Sequence, residues 1–186
     1  HGASQSDLAR HTSQGGFLLP AYDHLGYNYR MTDIQAALGC AQMDRLGWIL
    51  EERRRAARRY DDGLSSLDWL KPPLVPSGSV HSYQAYVCLF QPETIRFEAI
   101  ERLHQWRNRL MAALEQAGIA TRPGTHAPVL LGYYAAKYGL RPEQFPQAYL
   151  ADRLSLALPL YPHLTEEEQR TVCAQLRECM DGTRVT

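Results

Sequence analysis

Lysine is scarce in this chain, and that scarcity limits the chemistry available to it. Only Lys71 and Lys137 occur among the 186 residues, and arginine supplies the rest of the 20 basic side chains. A reaction that needs a nucleophilic amine therefore has two candidates here. Because 20 acidic side chains balance the basic ones, the formal charge gives no bulk attraction to nucleic acid or to an anionic membrane.

The cysteines lack metal-binding spacing, and no membrane-crossing run is present. None of the four cysteines forms a CxxC pair, so we expect no zinc site. This cysteine usage indicates a reducing, cytoplasmic location.

No run approaches the ~18 apolar residues of a membrane span, and no signal peptide is visible. Because the chain begins with His1, we expect a processed protein or a piece of a longer one.

Catalytic motifs are missing as well. The sequence has no GxGxxG, P-loop, GxSxG or HExxH pattern, and its seven histidines are scattered. The adjacent carboxylates Asp61-Asp62 and Glu166-Glu167-Glu168 fall on predicted helices, where solvated faces are expected. Without further information, the residues predict a globular module that lacks a complete catalytic set.

What is present favours helices that alternate with short strands. Thr32 and Gln35 fit a capping box that opens a helix. Gly39 inside that helix costs about 1 kcal/mol against alanine, and we attribute it to close packing against another backbone. A second helix is predicted over Trp48–Leu67. Its arginine-rich run, with Glu51 and Arg55 at supportive spacing, fits a solvated face better than a phosphate site.

The rest of the chain predicts a small sheet covered by helices, of α/β or α+β class. The predicted strands are 82–90, 119–122 and 155–158. The predicted helices are 98–117, closed by Gly118, then 145–154, and a last helix opened by Thr165 and three glutamates. Residues 123–128 are predicted to form a loop.

Residues 26–39, GYNYRMTDIQAALG, strongly resemble a signature of the DegT/StrS family. Supporting similarities follow in order over nearly the whole chain, at residues 81–86, 118–126 and 156–161. Members of the family are fold-type-I enzymes that use pyridoxal phosphate, and most aminate keto groups of nucleotide-linked sugars. The resemblance implies a cytoplasmic homodimer that uses a sugar nucleotide and an amino donor, which we expect to be glutamate.

The resemblance also implies roles for individual residues. In the family, an asparagine in the first segment reaches the cofactor phosphate of the neighbouring subunit, and Asn28 matches it. Arg30 is a second phosphate candidate, with an interface ion pair as its alternative. Thr125 and His126 match the substrate-side loop, and His81 has similar standing as a substrate contact. For Thr125, His126 and His81, the alternative is a purely structural role. For Asn28, the alternative is a hydrogen bond within a turn.

The lysine that binds the cofactor in this family lies several tens of residues before the first signature. Only 25 residues precede Gly26, and none of them is lysine. Lys71 and Lys137 do not occupy the family's lysine context. In the family's sugar dehydratases a histidine replaces that lysine, but the residues that flank His11 do not match those around it. We therefore expect no catalytic residue within the chain, and an inactive fragment.

The domain organisation implied by the resemblance has three parts. Residues 1–31 belong to an interface segment of the large domain, 32–68 to linking helices, and 69–186 to the small C-terminal domain with a mostly antiparallel sheet. The parent is expected to be an aminotransferase of amino-sugar biosynthesis. A sugar dehydratase of the same family, or a non-catalytic module that dimerises or binds a sugar nucleotide, are the alternatives.

Overall fold

The computed structural model of the chain describes residues 25–27 and 29–183. The chain divides into two compact units, His1–Arg45 and Leu46–Thr186. The helix that follows Arg45 therefore belongs with the C-terminal unit. The domain boundaries after residues 31 and 68 stay predictions.

Helix α1, Asp33–Asp44, is the only helix among the described residues of the first unit. The capping box that opens it is confirmed: the Gln35 amide donates to Thr32 Oγ1 at 3.3 Å, and the Thr32 amide donates to Gln35 Oε1 at 3.0 Å. The close packing predicted at Gly39 is absent among the described residues, since a Cβ added at this position would meet no atom within 4 Å. Helix α1 buries none of its side chains.

The second unit contains a three-stranded sheet and five α-helices within its described residues. The helices are α2 (Leu46–Leu64), α3 (Ile100–Gln116), α4 (Gly132–Tyr138), α5 (Pro146–Leu154) and α6 (Glu166–Thr183). The strands are β1 (Leu70–Lys71), β2 (Tyr86–Phe90) and β3 (Ser155–Leu158). Short 3₁₀ turns occur at Phe97–Ala99, Pro128–Leu130 and Pro142–Gln144.

The sheet has the order β1-β2-β3 and is antiparallel throughout. Tyr86 pairs with Leu158, and Leu89 pairs with Ser155. This confirms the mixed fold and the small antiparallel sheet expected from the sequence.

One face of the central strand carries the main core. Side chains alternate between the faces of a strand, and Tyr86, Cys88 and Phe90 are the fully buried positions of β2. They join one apolar cluster with residues of α2, α3 and α6, namely Ala57, Tyr60, Leu64, Leu110, Leu114, Val172, Cys173, Leu176 and Met180. Three helices thus cover this face, and burial of each large side chain contributes about 1.5–3 kcal/mol.

Polar bonds hold α2 against α6. The buried Gln169 donates through Nε2 to the Ala56 carbonyl at 2.8 Å and accepts from Arg59 Nε. Arg59 Nη2 also donates to the Leu164 carbonyl at 3.0 Å. At the other end of α2, Arg177 Nη2 donates to the Gly63 carbonyl at 2.8 Å, which satisfies a carbonyl of the last helical turn.

The arginine-rich run of α2 is only partly the solvated face that the sequence suggested. Arg55 and Arg58 are exposed and pair with Glu52 and Glu51, respectively. The predicted pair of Glu51 with Arg55 is therefore wrong. Arg53, Arg54 and Arg59 are half-buried and donate to backbone carbonyls. These carbonyls come from segments distant in sequence.

Two predicted strands are shorter than expected. The strand predicted from Ser82 begins at Tyr86, because Tyr83 has a φ of +49°, which extended backbone does not allow. Residues 119–122 form a single antiparallel bridge between Arg122 and Ala157. Helix α3 ends as predicted, since Gly118 has a φ of +78° directly after the Ala117 cap.

Helix α4 and strand β1 were not predicted. Each is short, at seven and two residues, and a short element has too little periodicity to be recognised. Helix α4 buries none of its side chains. None of the helices within the described residues combines the length and the apolar character needed to cross a membrane.

The cysteines are expected to differ widely in reactivity. Cys40 is exposed. Burial, reinforced by the nearby charge of Asp61, raises the pKa of Cys88 to about 12. Because the thiolate is the reactive form, Ellman's reagent at pH 8 should modify Cys40 rapidly and Cys88 only after unfolding. The measurement is the time course of absorbance with and without urea.

The control for this experiment is Cys40→Ser, which should remove the fast phase, whereas Cys88→Ser should leave it unchanged. Rapid labelling of Cys88 in the native chain would contradict the packing of β2.

Candidate functional site

Two arginines of α2 hold the segment 81–84, which carries one of the predicted substrate residues. Arg53 Nη1 donates to the carbonyls of Tyr83 and Gln84, at 2.8 and 3.0 Å. Arg54 Nε donates to the His81 carbonyl at 3.3 Å. These bonds fix the backbone of the segment just before β2 begins.

His81 lies in this segment with its ring facing Tyr83. Its Nδ1 accepts a hydrogen bond of 2.9 Å from the Tyr83 amide, and the two ring centroids are 4.4 Å apart. A ring nitrogen that accepts carries no proton, so the neutral imidazole has its proton on Nε2. His81 is exposed. Its Nε2–H is therefore the group that it can offer to a ligand.

The backbone of Tyr83 adopts an unfavourable conformation in this arrangement. A φ of +49° in a non-glycine residue costs on the order of 1–3 kcal/mol. The bonds from Arg53 and the stacking of Tyr83 on Tyr86, with centroids 6.3 Å apart, oppose that cost. Burial, and then the charge of Asp61, raises the pKa of Tyr83. A raised pKa favours the protonated form of the Tyr83 hydroxyl, which can then donate a hydrogen bond.

The loop 122–128 carries the other two predicted substrate residues. The Gly124 amide donates to Ser155 Oγ at 3.1 Å, and the Ala127 amide donates to Asp152 Oδ2 at 2.8 Å. Thr125 and His126 lie between these two bonds and are exposed. The loop thus presents a hydroxyl and an imidazole to solvent from a backbone that is fixed on both sides.

Gly124 permits this loop to approach the sheet. A Cβ at this position would lie 2.3 Å from Val87 Cγ1 and 2.9 Å from Ser155 Cβ and Oγ. Those distances are shorter than van der Waals contact, so no other residue fits without displacement. The loop therefore lies against the face of the sheet that carries Val87.

A buried guanidinium lies behind the loop. Arg107 of α3 is 2% exposed, and its Nη1 donates to the Ser155 carbonyl at 2.7 Å. Its Nη2 lies 3.0 Å from His104 Nδ1, while its Nε has no partner among the described residues. Burial lowers the pKa of Arg107, and the charge of Asp152 opposes that shift. Arg107 thus supports Ser155 from the core side.

A cleft of about 700 Å³ lies beside this loop. Its walls are mostly apolar, from residues 117–120 and 157–160, and its polar groups come from Gln84, Arg122, Tyr161, Glu168 and Thr171. His81, Thr125 and His126 do not line it. The three predicted substrate residues therefore lie on surfaces outside this cleft. Arg122 belongs to the segment 118–126, which resembles part of the family's sequence. No sequence pattern, however, marks the Arg122 side chain as a binding group.

The predicted phosphate contacts lie in the first unit. Asn28 falls outside the described residues, and Arg30 is exposed. Their roles stay predictions.

The two lysines of the chain lie apart from the cleft. Lys137 Nζ bonds to Tyr133 Oη at 3.2 Å and lies 5.4 Å from the ring centroids of Tyr133 and Tyr138. Lys71 is exposed on β1. Neither amine lines the 700 Å³ cleft. Over residues 25–27 and 29–183, no three His, Cys, Asp or Glu side chains are placed to hold a metal ion.

Substitution of Gly124 tests the close approach of the loop. Gly124→Ala should lower the free energy of unfolding by about 1–3 kcal/mol, because the added methyl group overlaps Val87. Urea denaturation followed by circular dichroism measures the change.

Gly132→Ala is the matched control, since no atom lies within 4 Å of a Cβ added there, and it should change stability by less than about 0.5 kcal/mol. Adding Val87→Ala to Gly124→Ala should recover part of the loss. Equal stability of Gly124→Ala and Gly132→Ala would refute the contact.

Comparison with known proteins gives a consistent family and fold. Residues 1–177 match the model of the DegT/DnrJ/EryC1/StrS aminotransferase family. The chain is 30% identical over 166 residues to UDP-N-acetyl-3-dehydro-alpha-D-glucosamine 3-aminotransferase of Acidithiobacillus ferrooxidans, covering 87% of the chain and 39% of that protein. It is 29% identical over 152 residues to GDP-perosamine synthase of Vibrio cholerae, covering 82% and 38%.

A solved structure matches over almost the whole chain. The putative sugar aminotransferase Spr1654 of Streptococcus pneumoniae, in its PMP form, superposes with a TM-score of 0.78 at 26% identity. The match covers 98% of this chain and 43% of that one. The chain therefore spans less than half the length of the proteins that it resembles.

Proposed function

Because the chain belongs to the DegT/DnrJ/EryC1/StrS aminotransferase family, we propose that it is the C-terminal part of an enzyme that aminates a keto sugar nucleotide. The observation that carries this proposal is the match to a putative sugar aminotransferase over 98% of the chain, at a TM-score of 0.78. Two relatives named for UDP- and GDP-linked sugars support the substrate class.

The proposed contribution of this chain is to bind and orient the substrate. His81 offers an Nε2–H donor, and Thr125 and His126 offer a hydroxyl and an imidazole on an anchored loop. Sugar hydroxyls and a diphosphate need such donors and acceptors. All three side chains are exposed, as residues that meet a substrate must be before it binds.

The proposed cofactor is pyridoxal phosphate, which supplies the amine-transfer chemistry when bound. Its lysine is proposed to lie outside this chain, since neither Lys71 nor Lys137 occupies the sequence context of the family's cofactor lysine. Asn28 and Arg30 are proposed to reach the cofactor phosphate of a second subunit in a homodimer. Glutamate is the proposed amino donor.

The isolated chain is expected not to bind the cofactor covalently. On mixing with pyridoxal phosphate, its spectrum should show no stoichiometric adduct, because neither Lys71 nor Lys137 occupies the sequence context of the family's cofactor lysine. Absorbance spectroscopy before and after borohydride reduction provides the measurement. A stoichiometric adduct that disappears in Lys71→Gln or Lys137→Gln would place the cofactor lysine in this chain.

The full-length protein is expected to convert a 3- or 4-keto sugar nucleotide and glutamate into an amino sugar nucleotide and 2-oxoglutarate. Thr125→Val and His126→Ala should each raise the KM for the sugar nucleotide about tenfold, since each removes a hydrogen-bonding group from the substrate side. Mass spectrometry of the sugar nucleotide and an enzymatic assay of 2-oxoglutarate measure both products.

Lys137→Gln serves as the control and should keep the activity of the parent. Loss of water from the sugar without formation of 2-oxoglutarate would identify a dehydratase instead. Binding of the sugar nucleotide without any turnover would identify a non-catalytic module.

A further inference from the structure

The two bonds that fix the loop 122–128 come from one short stretch of chain. Asp152 lies in the last turn of α5, and Ser155 begins β3 three residues later. On the loop, the two donors, Gly124 and Ala127, are also three residues apart. Two acceptors three residues apart therefore bind two donors with the same spacing, at the junction of α5 and β3.

Both acceptors are themselves held firmly. Ser155 is 5% exposed, pairs with Leu89 in the sheet, and accepts at its carbonyl from Arg107 Nη1 at 2.7 Å. The Asp152 side chain is 14% exposed, and its Oδ1 lies 3.8 Å from Arg153 Nη1. Acceptors on a helix–strand junction of the core move less than acceptors on another loop.

The loop is also blocked from moving towards the sheet. Gly124 is in contact with Val87, and Ala127 is 4% exposed. The contact prevents inward movement, and the two hydrogen bonds prevent outward movement. The segment between the anchors is thus held in place before any ligand binds, which removes an entropic cost that binding would otherwise have to overcome.

We propose that Asp152 and Ser155 are positioning residues, which hold the loop 122–128 so that Thr125 and His126 are preorganised for the sugar nucleotide. This inference rests on the proposed function. Neither anchor touches the ligand: Ser155 is buried, and Oδ2 of Asp152 is occupied by the Ala127 amide. A carboxylate in direct contact would repel a diphosphate, so Asp152 acts through the backbone that it binds.

The first experiment tests the anchors in the 186-residue chain itself, without ligand. Amide hydrogen exchange is followed by NMR in Asp152→Ala, Asp152→Asn and Ser155→Ala. The Ala127 amide should exchange about tenfold faster in Asp152→Ala, which loses the acceptor, and within about threefold of the parent in Asp152→Asn, which keeps a carbonyl oxygen. The Gly124 amide should respond in the same way to Ser155→Ala.

Asp68→Asn is the matched control, because Asp68 is an exposed carboxylate with no hydrogen bond or ion pair among the described residues. It should leave both loop amides unchanged. Circular dichroism identifies any variant that fails to fold, and Asp152→Asn and Ser155→Ala are small enough changes to decide the matter if Asp152→Ala does not fold.

The second experiment measures binding by the full-length protein. Calorimetric titration with UDP-N-acetylglucosamine and with GDP-mannose should show affinity about tenfold weaker in Asp152→Ala and Ser155→Ala, and within about threefold of the parent in Asp152→Asn. The absorbance spectrum of bound pyridoxal phosphate should stay unchanged in all variants. A general structural defect would alter that spectrum as well, so it separates positioning from loss of fold.

The outcomes distinguish this inference from the function on which it rests. Faster exchange together with unchanged affinity overturns the positioning role but leaves the proposed function intact. Unchanged exchange in the alanine variants shows that the anchors do not order the loop. If the parent binds neither nucleotide sugar, the proposed substrate class fails, and the positioning role for that substrate fails with it.

Discussion

The packing of Tyr86 against α2 joins the central strand to the core on which the rest of the second unit depends. Its side chain is fully buried, its ring lies 5.0 Å from that of Tyr60, and its hydroxyl donates to Asp61 at 2.6 Å. Burial, together with that bond, raises the pKa of Tyr86, so the hydroxyl stays a donor. Since neighbouring strand positions face opposite ways, this contact also orients Val87 towards the loop 122–128.

Arginine performs structural work that lysine could not. A guanidinium has five N–H donors in a rigid plane and can bind more than one acceptor. Arg53 bonds to two consecutive carbonyls, Arg59 to a carbonyl and an amide oxygen, and Arg177 to a carbonyl and a hydroxyl. The excess of arginine over lysine therefore corresponds to contacts between segments that are far apart in sequence, such as α2 with the segment 81–84.

The two groups of proposed substrate residues share one principle of construction. Exposed side chains stand on backbone that is bonded to the core: Arg53 and Arg54 fix the segment around His81, while Asp152 and Ser155 fix the loop around Thr125 and His126. The exposed groups remain available, yet their backbone is not free to move. Preorganisation of this kind favours selective binding, because little order has to be created when the ligand arrives.

The sequence by itself determined the capping box at Thr32 and the end of α3 at Gly118, because each depends on residues close in the chain. The family and the small antiparallel sheet followed from the resemblance of residues 26–39 to the family signature. Only the tertiary structure decided that β2 begins at Tyr86, that residues 119–122 form a single bridge, and which side chains anchor the loop 122–128. The bond from Gly124 to Ser155 joins residues 31 positions apart. Local sequence pattern carries no information about such a partner, since it is the packing of the sheet that brings the two together.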